Sequence, residues 1–204
     1  MGSLKKISPL LIPLALLLLA SPAARSQTPL PAGRSSALDF ALGFTDVQMN
    51  VPGSGRVNMT GADATMTAQL VPRIGIAMDL TYARSHEVFG TGHHNDVLSC
   101  LAGPVFYVAR HRRSTLFTSV LVGGARLNGS NFSQNGSFFS GYVVKPAWSV
   151  GVGLQHTITP AVSLRLGVDY LRTTFFDHTS ALKGEGSLRT SATVVYAFGR
   201  GRRR

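Results

Sequence analysis

Four segments of the chain alternate between apolar residues and small or polar ones. In Ile74–Tyr82 the even positions are Ile, Ile, Met, Leu and Tyr, and the odd positions are Gly, Ala, Asp and Thr. Val144–Ile158, Val162–Tyr170 and Leu188–Phe198 repeat this pattern. Successive side chains of a β-strand point to opposite faces, whereas a helix needs apolar spacings of three and four. Each segment therefore predicts a strand with one apolar face.

Weaker strand signals fill the rest of the chain and bring the expected number of strands to eight. They are Leu38–Val47, Thr60–Leu70, Val97–Ala109 and Leu116–Leu127. In the last two segments both faces are apolar or small, so the pattern leaves open which face points inward. No helix is expected after the N-terminal segment.

The connections between these strands are expected to alternate in length. Pro, Gly, Asn and Ser mark the breaks, as turn chemistry requires. The tight connections are Val71–Arg73, Arg110–Arg113 and Thr159–Pro160. The long connections are Asn50–Arg56, Ser85–Asn95, Asn128–Gly141 and Phe176–Gly186. In an up-and-down order of strands, the four long connections all fall at one end.

The N-terminus has the pattern of a secretory signal peptide. Lys5 and Lys6 precede the apolar run Ile7–Ala20, and small residues follow it. The run is shorter than the ~20 residues of a membrane-spanning helix. We expect a signal peptide over residues 1–24 and a periplasmic segment over 25–35. A barrel over 36–198 and a basic tail over 199–204 complete the predicted domains, and an uncleaved N-terminal anchor is the alternative to the signal peptide.

Composition favours a membrane barrel over a soluble one. Charged residues make up 14% of the chain, against about 25% in ordinary soluble domains. The non-apolar strand faces hold Gly, Ala, Ser and Thr instead of Lys and Glu, which suits the crowded interior of a narrow barrel. We therefore predict an all-β, eight-stranded antiparallel up-and-down transmembrane β-barrel with its apolar face toward lipid. The alternative is a soluble periplasmic β-barrel with that face inside, around a ligand cavity.

Aromatic residues fall near the predicted ends of the strands, as in the aromatic girdles of outer-membrane barrels. Those expected at the outer end are Tyr82, Tyr142, Trp148, Tyr170 and Phe175. Tyr196 and Phe198 are expected at the periplasmic end. The alternative is the ordinary preference of aromatic residues for strands.

At this point the chain resembles the small eight-stranded bacterial outer-membrane barrels of the OmpA-barrel and OmpX-like kind. The features that carry the resemblance are the signal peptide, Leu101–Pro104, Val122–Ala125 and the final strand ending Tyr196–Phe198. The resemblance covers residues 36–198 and implies the outer membrane of a Gram-negative cell. It also implies that the final aromatic strand is recognised by the barrel-insertion machinery, although residues 199–204 follow Phe198. That family includes structural, adhesive, ligand-binding and enzymatic members, so the resemblance does not assign an activity.

Charged residues at the odd strand positions are expected to face the lumen. They are Asp39, Asp79, Lys145, Arg165, Asp169 and Arg189. Buried charges must be paired. If the last hairpin folds about residues 179–180, Asp169 and Arg189 stand opposite each other. We expect a structural plug of paired charges, because eight strands leave little room for an aqueous channel.

Two outward-facing sets are candidate contact surfaces. Arg84, Arg126 and Arg172 share the outward parity near the strand tops, where they could meet the lipid A phosphates of lipopolysaccharide. The third long connection carries three phenylalanines that predict a binding surface for an extracellular ligand. They are Phe132, Phe138 and Phe139. The alternative is that they fold over the barrel mouth or reach the membrane interface.

Catalytic, metal and cofactor sites are not expected. His93 and His94 are adjacent and lack a spacing that fixes metal geometry. Ser85–Glu87 and Asp177–Ser180 hold neighbouring Ser, His and acidic residues, but a triad needs convergence from separate elements. No G-x-S-x-G motif is present. The net charge of +11 includes a basic tail, for which anionic head groups or cell-wall polymer are better partners than nucleic acid. The alternative is a solvated collar of basic residues.

The sequence therefore predicts a non-enzymatic, porin-like outer-membrane barrel with a structural or interaction role. It would present four extracellular loops on a closed barrel and contact outer-membrane lipid and lipopolysaccharide. The alternatives are a lipid A-modifying enzyme, a narrow pore and the soluble ligand-binding barrel.

Overall fold

Eight strands close into one barrel in the computed structural model. The model describes residues 38–51, 55–85, 94–132, 138–173, 175 and 186–198. The expected signal peptide over 1–24, the segment 25–35 and the tail 199–204 lie outside these residues. The strands are β1 (Leu38–Val51), β2 (Gly55–Val71), β3 (Ile74–Ser85), β4 (Asn95–His111), β5 (Ser114–Phe132), β6 (Phe138–Thr157), β7 (Val162–Thr173) and β8 (Gly186–Phe198).

Every strand pairs antiparallel with its neighbours in sequence, and β8 pairs with β1 to complete the barrel. Each strand overlaps a segment that the alternation predicted, so the closed eight-stranded antiparallel barrel is confirmed. Closure leaves no free lateral edge, which satisfies backbone hydrogen bonding around the full circumference. Within the described ranges, no helix is long and apolar enough to cross a membrane.

The two ends of the barrel differ. One end, called the turn end here, holds Leu38, Phe198 and the tight connections Pro72–Arg73, Arg112–Arg113 and 158–161. The other, called the loop end, holds the four remaining connections. Arg112 has φ 46°, in the left-handed region that type I′ and II′ hairpin turns use at their first central position, and it adopts this conformation although it is not a glycine.

Two of the four connections predicted to be long are mostly strand, so those two predictions were wrong. β1 and β2 stay paired as far as Val51 and Gly55, which leaves residues 52–54 in place of Asn50–Arg56. β5 and β6 stay paired as far as Phe132 and Phe138, which leaves 133–137 in place of Asn128–Gly141. The polar residues that suggested loops alternate with other residues on strands that continue past the apolar belt.

One parity holds around the whole barrel. Odd-numbered side chains point inward on all eight strands, because every hairpin register joins residues of equal parity except where bulges intervene near the turns. This settles the facing that the sequence left open. Leu101 on β4 and Leu121 on β5 are buried in the lumen, while Ala102 and Val122 are exposed on the outer surface.

Candidate functional site

The outer surface carries a broad apolar belt. Its residues stand at even positions and are exposed, among them Leu42, Met78, Val122, Val150, Leu166 and Val194. Val122 has 62% of its surface exposed and Phe44 has 81%. Soluble monomers rarely expose a contiguous apolar surface of this extent. The alternative of a soluble barrel with the even positions inside does not match this arrangement.

A row of polar outward residues ends the belt over β1 to β5. Successive cross-strand pairs join Asp46, Thr60, Arg84, Asp96 and Asn128 into this row, called the boundary row here. Asn128 donates a hydrogen bond to Asp96 over 3.0 Å. The next row toward the turn end is mainly apolar and includes Phe44 and Tyr82. The polarity of the outer face therefore changes within one step of the pleat.

Most of the predicted girdle aromatics lie on the outer surface. Trp148 contacts Tyr170 with ring centroids 5.9 Å apart, and Tyr196 meets Phe198 edge-on at 4.7 Å. Phe175 does not belong with them. It is 6% exposed and packs inside the lumen, because it continues the inward parity of β7, and its assignment to the outer girdle was wrong.

The lumen divides into two halves. Its loop half is lined mainly by buried apolar side chains, which pack into one cluster: Val47, Met49, Val57, Met59, Val97, Leu127, Leu171 and Phe175. Its turn half holds a group of charged and hydroxyl side chains, with Val105, Tyr107 and Leu121 of the same cluster beside them. The lumen is thus mainly apolar toward the loops, and its ionic groups lie toward the turns.

Arg189 is the centre of the charged group. It is 2% exposed, and its guanidinium donates to Asp79 and Asp169 from β3 and β7. The Nη2 to Oδ2 distance to Asp169 is 3.2 Å, and the two residues are direct cross-strand partners, as the last hairpin led us to expect. Asp63 of β2 lies 3.8 Å from Nη1. Gly151 faces Asp169 across β6 and β7, and a Cβ there would overlap the carboxylate.

Asp63 is the member of this group that the sequence analysis missed. It is 3% exposed and stands among the central residues of the group. The signal for it was present. Met66, Ala68 and Leu70 set the outward parity of β2, which turns Asp63 toward the lumen.

Two threonines join Asp63 to Asp79. Thr65 Oγ1 lies 3.1 Å from Asp63 Oδ1 and 3.3 Å from Asp79 Oδ2. Thr81 Oγ1 lies 3.0 Å from Asp63 Oδ2 and 3.1 Å from Asp79 Oδ1, and it also accepts from Arg189. Hydroxyls therefore bridge both carboxyl groups on both sides.

Arg165 forms a second centre nearer the turns. Its Nη2 donates to Gln155 Oε1 over 2.9 Å, and its guanidinium lies 5.1 Å from the centre of the Phe117 ring. Gly153 leaves room for that ring, since a Cβ there would overlap Phe117. Asp39 is half-buried close to the turn end and is among the carboxylates whose field reaches Arg165.

Lys145 lies apart from the other predicted lumen charges. It is half-buried on β6 opposite Ala125, beyond the point where β7 begins to pair with β6 at Ala147 and Thr173. The structure therefore brings Asp79, Arg165, Asp169 and Arg189 together in the turn half and places Lys145 in the loop half.

A cavity of about 40 Å³ lies beside the charged group. Asp63, Asp79, Arg165, Asp169 and Arg189 line it together with hydroxyl and aromatic side chains. The volume suits a few water molecules and is far below the ~300 Å³ of a typical small-molecule pocket.

The other candidate residues lie at the loop end. Arg84 and Arg126 point outward and are exposed, Arg172 is half-buried, and the Arg126 guanidinium lies 5.8 Å from the centre of the Tyr142 ring. The backbone of Phe132, Phe138 and Phe139 belongs to the paired ends of β5 and β6. The side chains of these three phenylalanines lie outside the described part.

The structure describes few of the residues that were considered for catalysis or metal binding. Among them, no group of three His, Cys, Asp or Glu side chains is arranged to hold a metal ion. Ser85 is buried and faces the lumen. His86, Glu87, Asp177, His178 and Ser180 lie outside the described residues.

Solved structures share this architecture. Ail, the attachment invasion locus protein of Yersinia pestis, is 17% identical with a TM-score of 0.58, over 81% of this chain and 100% of Ail. Ail has also been solved in complex with the heparin analogue sucrose octasulfate. Neisserial surface protein A is 13% identical at 0.56, over 79% of this chain and 96% of that protein. The outer membrane protein OprG from Pseudomonas aeruginosa is 10% identical at 0.51, over 80% and 96%.

No protein-family model and no curated protein matches the chain. At these identities the likeness shows the fold alone. The chain has the fold of the small eight-stranded bacterial outer-membrane β-barrels, which confirms the resemblance drawn from the sequence.

Proposed function

We propose that this protein is a non-enzymatic outer-membrane barrel with a structural or interaction role, presenting its loop end outside the cell. The exposed apolar belt carries the proposal. Exposing such a surface to water costs roughly 25 cal/mol per Å², and a lipid bilayer removes that cost. The polar boundary row at one side of the belt supports a membrane interface there.

The filling of the lumen supports a closed barrel over a pore. Apolar side chains occupy its loop half and ion pairs occupy its turn half. A narrow pore would need a continuous wet path between these side chains, and the cavity of about 40 Å³ stands against a wide one. A lipid A-modifying enzyme would need a nucleophile and a base converging on the outer leaflet, and Ser85 points into the barrel instead.

Lipid head groups are the partners that best suit the outward arginines. Arg84 belongs to the boundary row, and Arg126 lies over the ring of Tyr142. Guanidinium groups bind phosphate through paired hydrogen bonds, so lipid A phosphates of lipopolysaccharide suit Arg84, Arg126 and Arg172. Replacing all three by Gln should lower the lipopolysaccharide that co-purifies with the folded barrel, and unchanged lipid content would contradict this assignment.

Two further partners are part of the proposal. The outward aromatic Phe198 at the end of β8 is the feature that the barrel-insertion machinery would read. Phe132, Phe138 and Phe139, at the joined ends of β5 and β6, would contribute to an extracellular binding surface.

Fractionation of cells that express the full chain tests the proposal. We expect the protein in the outer-membrane fraction, with a gel mobility that changes on boiling, and no channel current after reconstitution into planar bilayers. A soluble periplasmic protein would contradict the membrane assignment. A steady current would favour the narrow pore, and altered lipid A acylation would favour the enzyme.

A further inference from the structure

The turn half of the lumen contains more negative than positive charge. Its described inward carboxyl groups are Asp39, Asp63, Asp79 and Asp169, and its guanidinium groups are Arg165 and Arg189. If every group were ionised, this narrow space would hold two uncompensated negative charges. Burying such charges without compensation is costly. Something beyond these side chains must therefore reduce the charge.

Of the three carboxyl groups around the Arg189 guanidinium, that of Asp63 lies farthest from it. The guanidinium makes hydrogen bonds to Asp79 and to Asp169, whereas Asp63 Oδ2 stands 3.8 Å from Nη1, beyond hydrogen-bond distance. Arg165 donates to Gln155 in the described contacts. The described hydrogen-bond partners of the Asp63 carboxyl are the hydroxyls of Thr65 and Thr81.

The contacts around Asp63 and Asp79 need more hydrogens than the two threonine hydroxyls provide. Thr65 Oγ1 and Thr81 Oγ1 together make four close contacts to the carboxyl oxygens of Asp63 and Asp79, at 3.0 to 3.3 Å. Each hydroxyl carries one hydrogen, and an ionised carboxylate carries none. Two of the four contacts would therefore join lone pair to lone pair.

We propose that the carboxyl group of Asp63, next to that of Asp79, is a proton-binding site that keeps one proton in the folded barrel. The bound proton supplies one of the two missing donors and halves the charge of the pair, as in other sites where two close carboxyl groups do not both ionise. The turn half then holds three negative and two positive charges, so its excess of negative charge falls from two to one.

Groups from every surrounding strand face this site. β1 contributes Asp39, β4 contributes Tyr107, β7 contributes Arg165 and Asp169, and β8 contributes Arg189. β5 and β6 contribute the neutral Ser119 and Gln155. The arginines are therefore the only described cations at this level, and both already have other acceptors.

The adjoining cavity offers the proton a route. Thr67 Oγ1 and Thr193 Oγ1 line it, are buried, and have no hydrogen-bond partner among the described residues. Buried hydroxyls without a partner mark positions where water is expected. Water in the cavity would join these hydroxyls to the carboxyl pair and let the site exchange its proton.

The bound proton predicts how stability depends on pH. The folded barrel would keep one proton at pH values where the unfolded chain, whose Asp side chains titrate near pH 4, has already released it, so the folded state binds more protons. Stability then falls as pH rises. Asp63→Asn should abolish this dependence, because an amide has the size of a carboxyl group and brings its own N–H donors.

Infrared spectroscopy and unfolding together test the site in the full, folded barrel. In the unaltered protein at about pH 5 we expect the C=O band of a protonated carboxyl group, and a urea midpoint that falls between about pH 4 and about pH 6. Asp63→Asn should lose the band and flatten the fall. Asp46→Asn, outward on the boundary row, is the matched control and should keep both.

Absence of the band in the unaltered protein, or an undiminished band in folded Asp63→Asn, would overturn the proposal. So would a midpoint that responds to exchange of sodium for choline at constant ionic strength and not to pH, since an inorganic cation would then balance the charge. If Asp63→Asn does not fold, Asp79→Asn serves as the second variant. The band of the unaltered protein decides the matter without either.

Discussion

The barrel reverses its polarity along its own axis. In the belt between the boundary row and the turns, outward side chains such as Leu80 and Val122 are apolar, while inward ones such as Asp79 and Thr81 are polar. At the loop end of β1 and β2 the order is the opposite. Val47, Met49, Val57 and Met59 are buried inside, and their outward neighbours are polar: Asp46, Gln48, Asn50, Arg56 and Asn58.

The reversal shows how one strand can meet two solvents. Where lipid surrounds the barrel, polar groups must turn inward and pair with each other. Where water surrounds it, apolar groups turn inward and pack as in a soluble core. Odd-numbered side chains point inward at both levels of the barrel. The type of residue at each position is therefore what differs between the level in contact with lipid and the level in contact with water.

Removal of Arg189 should have the largest effect on this arrangement. Arg189→Met would leave Asp79 and Asp169 buried without their shared partner, and we expect a loss of about 3–5 kcal/mol in the free energy of unfolding. Urea unfolding of the barrel in lipid or detergent measures it. Thr190→Ala, the outward neighbour, is the control. A loss no larger than that of the control would mean that the ionic group in the lumen does not stabilise the barrel.

Truncation inside the loop half should be nearly as costly. Leu127 is 2% exposed in the apolar cluster, and Leu127→Ala should cost about 2–5 kcal/mol through a cavity that little can fill. Leu166→Ala on the lipid-facing surface should cost distinctly less, because lipid chains can occupy the space. Equal losses in unfolding experiments would argue against a soluble-type core at the loop end.

A charge added to the outer surface should destabilise the barrel more in the apolar belt than at the loop end. Val122→Arg, in the middle of the apolar belt, should lower the free energy of unfolding by about 2–4 kcal/mol. An arginine placed near a membrane interface lowers it by only about 0–1 kcal/mol. Asn58→Arg, outward at the loop end, is the matched variant and should fall in the lower range. If both variants unfold at the same urea concentration, the belt is not in contact with lipid.

The sequence predicted the positions of the strands better than it predicted which face of each strand points inward. β3, β6, β7 and β8 could be predicted because a period of two is a local property that needs no knowledge of neighbours. The facing of β4 and β5 could not, since both of their faces are apolar or small. The register with β3 and β6 decided it.

The candidate site was only partly predictable for the same reason. Asp169 and Arg189 share a hairpin, so counting back from its turn was enough to pair them. Asp79 is 110 positions from Arg189 in sequence, and only closure of the barrel brings the two side chains together. Asp63 was overlooked although the parity of β2 pointed it inward, because a single carboxylate in a weak strand signal did not stand out.

The loop end is the part of the fold that the sequence alone predicted least well. Alternation in four segments and weaker strand signals in four others predicted the eight strands. Alternation also predicted the lipid-facing side of the clearest strands and the inward position of most charges, because side-chain direction in a strand follows from the backbone. Tertiary structure alone decided where the strands end, since polar residues such as Asn50 and Asn128 look like a loop until paired strands carry them beyond the belt. It also decided which buried charges meet, because closure of the barrel, and no local pattern, brings distant strands together.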